Sequence, residues 1–249
     1  MMKKVCVAIP SYDGKVCHTT NRLLLEEQWI FKHNGIQMDV HVIPGQSLVH
    51  SARNVLAHVF LHETDADKMI FLDADVGAKQ GVLWHLCQHR APFVAAGVRR
   101  RTEPESYAID WLDGGVIEQD PATKLIEIGG IGVACAVLTR KCLETFRDKT
   151  PELAYGYNGR TLHGFFACPI EGGRLIGEDI FFCRKWRELG GKVYLDPQHF
   201  TTHSDGVRVY GGCVGTWLNA RVAESEAKEA GEIAEETSRA IEADMELAN

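Results

Sequence analysis

The triplet Asp73-Ala74-Asp75 closes the apolar run Met69-Ile70-Phe71-Leu72. Alternate residues of a strand point the same way, so both carboxylates face one side if extended backbone persists to Asp75. Two hard oxygen ligands suit Mn2+ or Mg2+, and either ion would neutralise a diphosphate. A plain turn after a strand accounts for the same residues, because Asp is common in turns. Position favours the metal: in open α/β sheets, ligands bind beyond the carboxyl ends of the strands.

Other groups extend that chemistry. Pro10-Ser11-Tyr12 ends an earlier apolar run, where a backbone turn and an aromatic ring could receive a nucleobase and ribose. Arg53, in Ser51-Ala52-Arg53-Asn54, reads equally as a positive clamp and as a solvated residue on a helix surface. Glu178 and Asp179 are adjacent acids at an expected helix start. Capping and the helix dipole explain either one, and so does a general base acting on a hydroxyl. His203, in Thr201-Thr202-His203-Ser204, could add a nitrogen ligand to the same metal or be an ordinary loop histidine. The i, i+4 pairs His58/His62, His85/His89 and His199/His203 are explained better by chance and exposure than by zinc, given eleven histidines.

These residues need a scaffold. Lys4–Ile9, Met38–Ile43 and Lys68–Leu72 read as strands, with helices at Thr20–Lys32 and Val49–His62 between them. That alternation predicts an α/β fold with a mainly parallel central sheet and flanking helices. A helix over Gly81–His89, a strand over Pro92–Val98, an apolar run at Val133–Leu138 and a helix over Arg140–Phe146 follow. Between them, Thr102–Ile128 is turn-rich and reads as a small β insertion. Thr150–Gly173 has no period and reads as a long functional loop. Glu178–Leu189 returns to helix, and Lys192–Leu195 is expected to be the last strand.

Bulk properties narrow the class. A chain of 249 residues, 45% hydrophobic and 24% charged, fits one large globular domain. The net charge of −7 belongs to the stretch Glu224–Asn249, leaving a neutral body unlike a general nucleic-acid or membrane-surface protein. Arg99-Arg100-Arg101 is the exception, divided between a solvated loop and a phosphate contact. The eight cysteines include no C-x-x-C pair, and no stretch has the length of a membrane span. The first strand begins too early for a signal peptide, so a reducing cytoplasm is the expected compartment.

In order, Ile9-Pro10-Ser11-Tyr12, Ala52-Arg53-Asn54, Asp73-Ala74-Asp75, Gly129-Gly130-Ile131-Gly132, Gly177-Glu178-Asp179 and His203 resemble a glycosyltransferase of the GT-A fold. The likeness is to the family 2 group, and also to viral and fungal mannosyltransferase-like relatives. It runs from about Lys4 to about Gly206. It implies a domain over residues 1–215 and an acidic helical tail over 216–249. It further implies a nucleoside pocket at Pro10, Ser11 and Tyr12. Asp73 would contact ribose or metal, Asp75 would bind the metal, and His203 could complete its ligands. Asp179 would be the base if the enzyme inverts, Glu178 would orient the acceptor or stand in for Asp179, and Gly132 would leave room beside the acceptor.

The implied activity is metal-dependent transfer of a single sugar from a UDP- or GDP-sugar to an acceptor hydroxyl. The acceptor stays open among a glycan, a protein and modified DNA. Two alternatives remain: a nucleotidyltransferase that forms nucleotide sugars, and a non-catalytic nucleotide-sugar binding protein. The first would usually carry a Gly- and Arg-rich phosphate loop after the first strand, which Pro10–Lys15 does not provide.

Overall fold

The structure, a computed structural model, describes residues 2–112 and 117–228. In chain order the first strands are β1 (Lys4–Pro10), β2 (Gln37–Ile43), β3 (Lys68–Leu72), β4 (Val76–Ala78), β5 (Phe93–Ala96), β6 (Ile109–Asp110), β7 (Ile126–Ile128), β8 (Gly130–Ile131) and β9 (Cys135–Thr139). Later come β10 (Ala154–Tyr157), β11 (Arg160–His163), β12 (Ile170–Glu171), β13 (Arg174–Leu175), β14 (Val193–Asp196), β15 (Phe200–Ser204) and β16 (Val209–Cys213). The helices are α1 (His18–His33), α2 (Val49–Glu63), α3 (Val82–Gln88), α4 (Arg140–Lys149) and α5 (Glu178–Glu188).

The central sheet has seven strands in the order β2-β1-β3-β9-β5-β14-β7. β1 is parallel to both β2 and β3, as the strand–helix alternation predicts. β5 and β14 are also parallel, so the sheet is mostly parallel, while β9 runs antiparallel between β3 and β5. The apolar run that became β9 shows no direction in its sequence. Burial on both faces erases the alternation that would mark an edge.

Strand periodicity divides the core. Val5, Val7, Ile70, Leu72, Val94 and Val137 face one way and pack with Leu23 and Phe31 of α1 and Leu83 and Leu86 of α3. The opposite face is aromatic. Phe71 meets Phe166 edge-on, Phe166 stacks on Phe182 of α5, and Phe182 stacks on Phe146 of α4. α1 stops where expected: Asn34 caps its end, and Gly35 adopts φ +69°, a left-handed conformation that a glycine takes without strain.

Two sequence expectations need correction. The strand at Val193–Asp196 is followed by β15 and β16, which join β4 in a second, antiparallel sheet of order β16-β15-β4. Residues 150–173 form a 3-10 turn, the hairpin β10-β11 and most of β12-β13 rather than an aperiodic loop. Strands of two to four residues are too short to show a period. The turn-rich 102–128 stretch is the small β insertion expected: β7 pairs with β14 at the sheet edge, and β6 pairs with β8.

All eight cysteines are free thiols, and burial pushes Cys6, Cys135 and Cys183 up to about 12. The chain divides into two units, Met1–Val214 and Gly215–Asn249. Residues 215–228 are helical, and the rest of the acidic tail lies outside the described residues. No described helix is long and apolar enough to cross a membrane.

Candidate functional site

Extended backbone ends at Leu72. The Val76 amide donates to the Asp73 carbonyl at 3.1 Å, closing a turn. The Ala74 carbonyl accepts from the Cys17 amide at 2.7 Å and from the Thr20 hydroxyl at 3.1 Å, which fastens the turn to the start of α1. The expectation that Asp73 and Asp75 continue one strand and face one side is therefore corrected. Each carboxylate meets a different cation.

Asp73 accepts from Arg53 Nη2 at 2.9 and 3.0 Å, and Arg53 Nη1 donates to Glu178. Arg53 is 3% exposed, so its surface reading is excluded. It holds the end of β3 to the start of α5 through carboxylates that come from separate parts of the chain. Next to it, Asn54 is a structural fastener. Its side-chain amide donates to the Phe166 carbonyl and accepts from the Phe166 amide, both at 2.9 Å.

Asp75 pairs with Arg101 Nη1 at 2.9 Å and lies 3.4 Å from His203 Nε2. The second sheet brings His203 there. β15 runs antiparallel to β4 with His203 opposite Val76, and the Ser204 amide donates to the Asp75 carbonyl. His203 is thus a strand residue and not a loop residue. Its Nδ1–H donates to the Arg99 carbonyl at 3.0 Å, which turns Nε2 toward Asp75. Burial works to raise the Asp75 carboxyl, but the His203 contact and the charges of His203 and Arg101 outweigh it and hold it below the usual range.

The ligand chemistry at Asp75 and His203 fits a divalent cation in part. A carboxylate oxygen and the imidazole Nε2 face each other, and a backbone acceptor at Nδ1 fixes the ring's orientation. Asp73 is turned to Arg53, and among the described residues Asp73, Asp75 and His203 do not gather into one compact ligand set.

Two cavities flank Asp73. The larger, about 600 Å³, is lined by Pro10, Ser11, Tyr12, Asp73, Asp75 and the Cys17-His18 start of α1, among others. Tyr12 is 72% exposed, whereas Ser11 is buried with its hydroxyl donating to the Lys15 carbonyl. No side chain caps the first turn of α1. The smaller cavity, about 260 Å³, is lined by Arg53, Asp73, Gly132, Glu178, Asp179 and His203, among others.

Asp179 lies at the N-terminus of α5, with Oδ1 accepting from the Ile180 amide at 2.8 Å. Burial, then the like charge of Glu178, raises its carboxyl above the ordinary aspartate range, with Arg53 working against both. A Cβ on Gly132 would lie 3.3 Å from Asp179 Oδ2, so the missing side chain leaves room for that carboxylate.

The basic cluster splits three ways. Arg99 donates to Glu103 and to the Gly211 carbonyl, Arg100 lines the smaller cavity, and Arg101 meets Asp75. The contact of Arg101 with Asp75 was not legible in the sequence. No residue of 150–173 lines either cavity.

No protein-family model matches the sequence, and no curated protein matches it. Among solved structures, A197 from STIV is similar at a TM-score of 0.51 and 17% identity, over 82% of this chain and 86% of that one. This likeness shows a shared fold. S. aureus TarS 1-349 aligns at a TM-score of 0.40 and 13% identity, over 78% of this chain and 58% of that one. The inositol-1-phosphate CTP transferase from T. maritima aligns at 0.43 and 9% identity, over 83% and 90%.

Proposed function

We propose that the protein is a glycosyltransferase of the GT-A type, akin to family 2, that transfers one sugar from a UDP- or GDP-sugar to an acceptor hydroxyl. The observation that carries this reading is the position of Asp73 as a shared wall. On one side lies a cavity with an exposed aromatic ring and an uncapped helix start; on the other lies a cavity with a carboxyl of raised pKa.

The donor's nucleoside would occupy the larger cavity beside Pro10, Ser11 and Tyr12. Its diphosphate would lie near the α1 N-terminus, whose first-turn amides and dipole favour anions. Asp75 and His203 would hold Mn2+ or Mg2+, with Asp73 at its edge. An imidazole ligand suits Mn2+ better than Mg2+. When bound there, the ion supplies positive charge to the diphosphate. Arg101, which compensates Asp75 in the structure, is placed to move onto a phosphate oxygen once a cation takes its role. Arg53 would serve the donor indirectly, by fixing Asp73 and Glu178.

The sugar would project toward the smaller cavity. There the Asp179 carboxylate would take the proton of the acceptor hydroxyl as its oxygen bonds to the anomeric carbon. The bond from that carbon to the diphosphate oxygen breaks, and the nucleoside diphosphate leaves with the electron pair. This is an inverting displacement. A raised pKa suits Asp179 to it, because proton transfer is most efficient when the base's pKa lies nearer the working pH. Glu178 would orient the acceptor while keeping the Asp179 pKa up.

The test is a screen of UDP- and GDP-sugars with Mn2+ or Mg2+, reading nucleoside diphosphate release and thermal stabilisation. Stabilisation should grow with donor concentration by mass action. If no donor binds with either ion and Asp75→Ala matches the wild type, the reading fails. Pyrophosphate release from a nucleoside triphosphate and a sugar phosphate would mark the nucleotidyltransferase instead. Binding without turnover, unchanged by Asp179→Asn, would mark the binding protein.

A further inference from the structure

Away from both cavities, α3, the end of β14 and the approach to β15 converge on one buried carboxylate. His85 Nδ1 lies 2.9 Å from His199 Nε2 and 3.4 Å from Asp196 Oδ2, and His199 Nε2 lies 3.1 Å from the same oxygen. Among the described residues this is the one group of three His, Cys, Asp or Glu whose ligand atoms gather so closely. Two ring nitrogens and a carboxylate oxygen thus form a triangle with each edge near 3 Å.

Hydrogen bonds serve that triangle poorly. If both ring nitrogens carry a proton for Asp196, the two N–H groups face each other across 2.9 Å. If only one does, that proton is divided between the facing nitrogen and the carboxylate. A cation just off the plane of the triangle reaches all three atoms, since zinc binds nitrogen and carboxylate oxygen at about 2.0–2.2 Å.

The surroundings hold the three in place. Asp196 is fully buried, with Oδ1 accepting from the Gln198 amide and Oδ2 also accepting from His89 Nε2–H at 2.9 Å. His89 thus orients the carboxylate from outside the triangle, as partners of metal ligands commonly do. α3 itself is anchored by buried Glu27, which accepts from the Leu83 and Trp84 amides. His85 is 45% exposed, which gives an ion a path in and leaves a coordination position for water.

We propose that His85, Asp196 and His199 form a second metal site, for one divalent transition-metal ion of zinc type, distinct from the Asp75–His203 pair. Two imidazoles and one carboxylate are a borderline donor set that favours zinc over the hard ions suited to a diphosphate. The ion would tie α3 to the end of β14 and the start of β15, the strand that carries His203. The site would therefore brace the second sheet.

The experiment uses untagged full-length protein stripped with a chelator and titrated with ZnCl2, with bound zinc measured after desalting and Tm followed in parallel. The expected result is one tightly held zinc in the wild type and in Asp75→Asn, with a Tm that rises with zinc concentration. His85→Ala, at a half-exposed position, should lose that zinc and its Tm response. His89→Ala should weaken binding by roughly 10–100-fold, as loss of an outer partner does. If His199→Gln fails to fold, His85→Ala carries the comparison. The proposal is overturned if the wild type retains no equivalent of zinc, or if His85→Ala binds it with unchanged affinity.

Discussion

The two cavities that share Asp73 are built on different principles. The larger one is made mainly where chain segments turn after their strands: Pro10 to Cys17, Asp73 to Asp75, and Ser204 to Val209. Its Asp75–Arg101 pair is partly exposed. The smaller one gathers Arg53, Gly132, Glu178 and Asp179 from distant parts of the sequence, and Arg53 is buried among acids. An open wall of strand ends suits a large polar ligand that enters and leaves. A buried wall in which the acids outnumber the arginine can hold one carboxyl away from its ordinary pKa. On the proposed reading, binding and proton transfer fall on opposite sides of one residue.

That division can be broken by substitution. The largest expected effect is from Asp179→Asn, which should lower kcat by about 10²–10⁴-fold, the usual worth of a general base, and leave donor affinity intact. Isothermal titration with a donor beside initial rates checks it; equal losses in both would erase the division. Next, Arg53→Met should cost about 3–5 kcal/mol of stability, because it leaves Asp73 and Glu178 as uncompensated, largely buried charges. Urea unfolding measures this, and a loss under 1 kcal/mol would mean that the wall does not depend on Arg53.

pH sharpens the comparison further. The base must be ionised, so kcat/KM should rise with pH through an acid limb above the ordinary aspartate range. Burial raises the Asp179 carboxyl most and Glu178 next, so Glu178→Gln should move that limb to lower pH. A limb that stays in place would separate Glu178 from the electrostatics of Asp179. The smallest effect belongs to the open side. Arg101→Ala should change stability by no more than about 1 kcal/mol, as exposed ion pairs do, while weakening donor binding more at low salt than at high.

Much of this was legible in the sequence. Apolar runs with clear ends marked β1, β2 and β3, and the alternation with α1 and α2 required their parallel pairing. Pro10, Ser11, Tyr12, Asp73 and Asp75 therefore had to lie at one edge of the sheet. Three features were not legible. A turn at Ala74 was one of two open readings, and what fastens it, hydrogen bonds from Cys17 and Thr20 more than fifty positions away, was not legible. His203 read as a loop residue because β4 and β15 are short strands, and only their antiparallel register sets it beside Asp75. The two readings of Arg53 were equal because helical spacing gives a face and not what covers it.

The histidine pairs make the same point. Spacing alone gave His85/His89 and His199/His203 as helix-like pairs. The structure instead gathers His85 and His199 with Asp196, sets His89 against the same carboxylate from outside that group, and turns His203 to Asp75. Asp196 stood out in the sequence only as a turn residue before Pro197.

By itself, the sequence determined the first three strands and the two helices between them, and hence which residues lie at those strand ends. Hydrophobic periodicity is a local property, so these assignments need no partner. Tertiary structure alone decided that Asp73 faces Arg53, that Asp75 faces His203, and that Arg53 is an electrostatic neighbour of Asp179. Charge interactions depend on distance through space, and neighbours twenty to more than a hundred residues apart become neighbours only when the sheets close.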